Sequence, residues 1–345
     1  MRFPGRAILP FLDCLNYTLT DKGDTAKYAL EFPILLSASV RQLRIYNRTS
    51  EKMCEVLLSF LIDKAFQFQH LTVNGPPPRY FVTHSLRLTS LRTLVLSKCQ
   101  DTFPDLAHFF KHLPDLQDLT LEWVPSLDNT SIPTNLLPNL WFLSVQGPEQ
   151  SCLLLLQHIS GETLTSQQIV FDDDIEIRMT SGRACLTQLS RFPSLRKIGL
   201  RYNSVEFTSV EALSILEPLL DFSHIQHLRL TLLPSWVRIT NDTIRGIASG
   251  LKNLQTLHIS YKHHRGAFKT TSQALESIGL FSLNLRELTL PIDLVDLTIW
   301  SIPRSSCASS LLSLDLETSS GDQALIKQFI AALFPNVERL SIKCT

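Results

Sequence analysis

One spacing governs what this chain can fold into. A three-point template, apolar-x-x-apolar-x-apolar, returns twelve times between Val40 and Ile342. Its central residues are Leu43, Leu71, Leu94, Leu119, Leu143, Gln167, Ile198, Leu228, Leu257, Leu288, Leu314 and Leu340, and successive ones stand 23 to 31 residues apart. Leu, Ile, Val and Phe supply 117 of the 345 residues, so chance would fill so short a template on the order of a dozen times. Chance would not hold the spacing so narrow. The approach repeats as well: Leu113-Pro114, Leu137-Pro138, Phe192-Pro193 and Phe334-Pro335 each set a proline two residues ahead of a template. A proline there cannot continue a helix and is expected to force an extended path.

Between the strands the pattern is helical. Ser320 to Gln323 and Thr208 to Glu211 have capping-box form. Leu325, Phe329 and Leu333 follow the first at helical spacing, and Leu213, Leu216 and Leu220 the second. Asp101 and Thr102 open another helix that Pro114 stops, and Gly250 is expected as a left-handed helix stop after Ile244 and Ile247. Each unit is then one short strand plus one helix in about 27 residues, which cannot bury its own apolar edge. The expected fold is an α/β solenoid of about twelve stacked, irregular units over residues 40–345. Gln167 is the one polar residue at a central position, and its replacement by leucine is expected to be neutral or stabilising if the site is buried.

The L-x-x-L-x-L spacing resembles that of leucine-rich repeats. Irregular unit lengths and L-P-x-L lead-ins are similar to the degenerate repeats of fungal F-box/leucine-rich-repeat proteins, over residues 40–345. That resemblance implies a curved horseshoe, with a parallel β-sheet on the concave face and helices on the convex face. It also implies a protein substrate on the concave face, chosen for ubiquitination, with the linker and cullin subunits of a ubiquitin ligase as further partners. The alternative is a stand-alone repeat scaffold or inhibitor without ubiquitin chemistry. Only Cys99 and Asn203 occupy the usual Asn or Cys place beyond the template. An F-box opens with L-P-x-E; after Leu9-Pro10, Leu12 stands where the acidic residue belongs. Residues 1–39 are therefore read as an N-terminal lead-in or cap without an intact F-box. Leucine-rich-repeat GTPase activators use regular, asparagine-rich units and a loop arginine that this sequence does not show. Twelve units also exceed the eight of a closed β/α barrel.

Charge and cysteine usage narrow the partners. Thirty-two basic and 32 acidic residues leave a net charge of +0, against the basic face a nucleic-acid binder needs and without attraction to an anionic membrane. The seven cysteines are scattered, with no zinc spacing, as reduced thiols of an intracellular protein are. Pro10 and Asp13 break the only apolar stretch near the N-terminus, and no window reaches 18 apolar residues. A protein partner, neither nucleic acid nor membrane, and a cytoplasmic or nuclear location are expected.

No catalytic, cofactor or metal site is expected. Nucleophile elbows, glycine-rich phosphate loops and metalloprotease signatures are missing from the sequence, and 12 glycines leave little for a phosphate cradle. The acidic run Asp172, Asp173, Asp174 and Glu176 lacks the glycine turn of a calcium loop and reads as a solvated loop. Lys262, His263, His264 and Arg265 read as an exposed loop, and Pro76 to Pro78 as a rigid one.

The informative residues are those between the template positions, which alternation sends to the opposite face of the strand. Aligned over three units they give Lys197, Arg201, His227, Arg229 and His258, a basic strip. Asp118 and Glu122 precede it, and Glu287, Asp315 and Glu317 follow. Phe142 takes an outward position with no evident core to join; Trp123 and Tyr202 read as loop packing. Aromatic and arginine side chains anchor interfaces, so Phe142 and Arg229 are the expected hot spots. Val337 to Ile342 is expected to be an edge strand blunted by Glu338, Arg339 and Lys343.

Overall fold

The computed structural model describes residues 13–19, 40–47, 68–75, 88–97, 106–122, 135–171, 180–202, 210–232, 237–261, 270–295, 297, 310–318 and 322–344. The chain divides into two compact units, Met1–Leu164 and Thr165–Thr345. In the first, β1 (Cys14–Leu19), β2 (Gln42–Asn47), β3 (His70–Asn74), β4 (Thr93–Ser97), β5 (Asp118–Glu122) and β6 (Phe142–Gly147) pair in chain order. Every pairing is parallel. The described helices of this unit are α1 (Leu106–Lys111) and α2 (Glu149–His158).

The second unit repeats the plan with β7 (Ser166–Phe171), β8 (Lys197–Tyr202), β10 (His227–Leu232), β12 (Thr256–Tyr261), β13 (Glu287–Ile292), β14 (Ser313–Thr318) and β15 (Arg339–Cys344), all parallel. The short β9 (Val210–Glu211) and β11 (Val237–Arg238) form a separate parallel pair. Helices α3 (Thr180–Gln188), α4 (Ala212–Leu220), α5 (Asn241–Gly250) and α6 (Ser272–Phe281) pack side by side in chain order, and α7 (Gln323–Leu333) precedes β15. Each unit thus has the expected α/β plan of stacked leucine-rich repeats, parallel strands with helices between them.

Register explains why the template repeats. Leu43, Leu71, Leu94, Leu119 and Leu143 lie opposite one another across β2 to β6. Gln167, Ile198, Leu228, Leu257, Leu288, Leu314 and Leu340 do the same across β7 to β15. β1 extends the first sheet by a strand the template does not mark, with Leu15 against Leu43. The template residues are buried from Val40 to Leu316, each apolar one worth about 1.5–3 kcal/mol of burial. In β15 the burial thins: Val337, Leu340 and Ile342 are only half-buried, while Glu338, Arg339 and Lys343 are exposed.

The lead-ins are turns, which corrects the extended path expected from their prolines. Leu116 N donates to Leu113 O at 3.2 Å, Leu140 N to Leu137 O at 3.1 Å, Leu195 N to Phe192 O at 3.1 Å, and Val337 N to Phe334 O at 3.3 Å. Proline sits at the second turn position, where its fixed φ belongs. The same turn forms without it at Phe222, Leu251 and Ser282. The third turn position does a job the sequence reading missed. Asn139 Nδ2 donates to Pro114 O at 3.0 Å, Asn253 Nδ2 to Ser223 O at 2.6 Å, and Asn284 Nδ2 to Lys252 O at 3.1 Å. Each amide thereby ties its turn to the turn before it.

Three helix expectations need correction. The N-cap of α7 is Asp322, two residues past the expected Ser320, which lies outside the described residues; Asp322 Oδ1 accepts from Ala324 N at 2.8 Å and Leu325 N at 3.3 Å. Glu211 belongs to β9, and α4 starts after it at Ala212. Gly250 is not left-handed; the positive-φ glycines among the described residues are Gly75 and Gly147. A Cβ at Gly250 would lie 2.8 Å from Leu220 O and 2.9 Å from Leu220 Cβ, so the glycine admits the end of α4.

Candidate functional site

Alternation gives one face of each sheet to residues other than the template set. In the second unit these residues form three rows, which the register fixes. The first row runs Ser166, Lys197, His227, Thr256, Glu287, Ser313 and Arg339. The second runs Gln168, Gly199, Arg229, His258, Thr289, Asp315 and Ser341. The third has Val170, Arg201, Thr231 and Ser260, and beyond them Pro291, Glu317 and Lys343. The β12–β13 pairing runs only from Thr256 to His258; Pro291, with no N–H, cannot extend it.

This register brings the five basic residues of the sequence reading onto three adjacent strands. His227 lies directly across from Lys197, Arg229 from His258, and Thr231 from Arg201. Adjacent strands are about 4.8 Å apart and outward residues on one strand about 6.6 Å apart, so Lys197, Arg201 and Arg229 ring Gly199. Lys197 and Arg229 are exposed, Arg201 half-buried. A Cβ at Gly199 would meet Gln168 Cγ at an ordinary 3.5 Å, so crowding does not demand the glycine. It leaves open floor between three cations. The sequence reading passed over Gly199 because it carries no charge of its own.

The two histidines border this cluster. His227 Nδ1 stands 3.1 Å from Thr256 Oγ1. Burial pushes the His227 imidazole below its usual value, Lys197 adds to that, and Glu287 opposes it. His258 is also pushed down, first by burial and then by Arg229, against Glu317 and Asp315. Burial and the turn-side Arg196 lower His224, whose ring stacks on Phe222 with centroids 5.9 Å apart. Beside the third row, burial pushes the Tyr261 hydroxyl up to about 12, opposed by a backbone hydrogen bond at Ile239.

The first unit presents a different face. Gln42, His70, Thr93, Asp118 and Phe142 form one row, and Arg44, Thr72, Val95, Thr120 and Ser144 the next. Thr93 Oγ1 donates to Asp118 Oδ2 at 3.2 Å. Burial raises the Asp118 carboxyl, while that bond and His70 pull it down. Phe142 is half-buried and tilts at 57° against Trp141, with ring centroids 6.4 Å apart. Trp141 is 47% exposed, so the residue that gives Phe142 its contact is its own neighbour, an adjacency readable in the sequence. Phe142 belongs to the first unit and the five basic residues to the second.

Trp123, the acidic run at 172–176, the basic run at 262–265 and Pro76 to Pro78 lie outside the described residues, as does the side chain of Tyr202. Among the described residues no group of three His, Cys, Asp or Glu side chains is arranged to hold a metal ion. Among them, too, no helix is long and apolar enough to cross a membrane.

No family model and no curated protein matches the chain. Among solved structures it is similar to a Bacteroides fragilis protein from a structural-genomics programme, at TM-score 0.45 and 13% identity over 96% of this chain and 74% of that one. It is also similar to a leucine-rich-repeat protein of Leptospira interrogans, at TM-score 0.41 and 16% identity over 90% of this chain and 70% of that one.

Proposed function

We propose that the chain is a protein-recognition module whose binding surface is the basic cluster on β8, β10 and β12, and that it takes an acidic segment of a partner protein. The observation that carries this reading is the ring of Lys197, Arg201 and Arg229 about Gly199. Among the described residues no ion pair engages Lys197 or Arg229. Cations held together on a rigid sheet repel one another, and they draw a carboxylate-bearing partner at long range. His227 and His258 extend the surface as hydrogen-bonding groups. Phe142 is a second anchor, on the first unit.

The test is the double reversal Lys197→Glu with Arg229→Glu, measured by fluorescence anisotropy on a labelled oligoglutamate peptide. Affinity should fall at least tenfold, or about 1.4 kcal/mol, with an unchanged thermal midpoint. Lys327→Glu on α7 lowers the net charge away from the surface and should leave binding alone. Binding that ignores the double reversal, or responds equally to Lys327→Glu, overturns the reading.

Within this reading the partner is a substrate delivered to a ubiquitin ligase. That role rests on the resemblance of the L-P-x-L lead-ins to F-box/leucine-rich-repeat proteins. Co-purification with linker and cullin subunits supports it; recovery of a partner without them, from cells in which both are present, makes the chain a stand-alone scaffold or inhibitor.

A further inference from the structure

The rows of the second unit share more than a basic end. In each, a cation comes first along the strand order and a carboxylate follows: Lys197 then Glu287, Arg229 then Asp315, Arg201 then Glu317, with Arg339 and Lys343 of β15 closing the first and third rows. The first two pairs are separated by three strand spacings and the last by four, about 14 to 19 Å. Between them stand His227 and Thr256 in the first row, His258 and Thr289 in the second, and Thr231, Ser260 and Pro291 in the third. None carries a fixed charge.

We infer that this face reads charge order: it binds a protein segment lying across the strands whose acidic block is followed, about four to six extended residues on, by a basic block. The inference rests on the recognition reading above and adds the acidic half to it. Over β8 and β10 the cations attract the acidic block. Over β13 and β14 Glu287, Asp315 and Glu317 attract the basic block and repel a ligand that is acidic throughout. Juxtaposed like charges are a strong source of discrimination. A polyanion such as nucleic acid, or an anionic lipid surface, meets the carboxylates as readily as the cations.

Three labelled peptides test this on the full chain at low ionic strength. One has three glutamates, a neutral four-residue spacer and three lysines; the second has the same composition with alternating charges; the third carries six glutamates. The block peptide should bind about tenfold more tightly than its alternating isomer. Glu287→Lys with Asp315→Lys should erase that preference and raise affinity for the all-acidic peptide at least fivefold. If that variant folds poorly, Glu287→Gln with Asp315→Asn should still reduce the preference about threefold. Equal binding of the two isomers, or a preference that survives both variants, overturns the inference. Acidic-peptide binding that depends on Lys197 and Arg229 but ignores charge order leaves the recognition reading standing and removes this one. If no peptide responds to reversal of Lys197 and Arg229, both fall.

Discussion

The two units solve the same packing problem and spend their free positions differently. Inward, β2 to β6 and the paired strands from β8 to β15 carry the same rung of aliphatic residues in the same register. Outward, the central row of the first unit runs Arg44, Thr72, Val95, Thr120 and Ser144, while that of the second runs Gln168, Gly199, Arg229, His258, Thr289, Asp315 and Ser341. Core packing dictates every second residue and is indifferent to the ones between. What differs between the units is therefore what each face can meet, and only the second carries an ordered set of charges.

If the rungs are equivalent, equivalent damage should cost the same. Leu119→Ala in the first unit and Leu257→Ala in the second should each destabilise by about 2–5 kcal/mol, since both side chains are buried and their neighbours collapse only partly. Urea unfolding measures this, and a difference above about 2 kcal/mol between them would end the equivalence.

Gln167 breaks the rung at the start of the second unit. It is 2% exposed, and among the described residues neither its Oε1 nor its Nε2 has a hydrogen-bond partner. Gln167→Leu should stabilise by about 1–3 kcal/mol, the penalty of a buried, unmade polar contact. A lower urea midpoint in the leucine variant would show that the amide is satisfied in solution.

Acid should pull the two units in opposite directions, by the smallest of these effects. His227 and His258 have depressed values in the folded chain, so below the ordinary 6.5 the unfolded chain takes up protons first and stability falls. Asp118 has a raised value, so the folded chain takes up the proton first and stability gains as pH drops through that value toward 3.8. Unfolding midpoints at about pH 7.5 and about pH 5.5 should show a loss that His227→Gln with His258→Gln reduces. A loss unchanged in that variant assigns the acid sensitivity elsewhere.

The rung, the parallel strands and the basic cluster were legible because period-two alternation and a narrow repeat spacing report burial directly. The turns were not. Proline signals only that a helix stops, and the deciding hydrogen bond from Leu116 N to Leu113 O lies in the backbone. The amide ladder of Asn139, Asn253 and Asn284 was missed because its partners are main-chain carbonyls a full unit away. Gly250 looked like a stop because sequence shows a glycine's neighbours along the chain, not Leu220 pressing on it through space. Gly199 matters through the side chain it lacks, which no search for charged residues finds.

Units of 23 to 31 residues feed strands that stay in register, so every variation in length is absorbed by the connections. The face is consequently a ruler with a fixed graduation of about 4.8 Å. Lengthening a connection leaves its markings untouched. Excising one whole repeat between the cations and the carboxylates would bring them closer by one graduation, so such a ruler can be re-cut for another partner by adding or removing units, without redesigning any single contact.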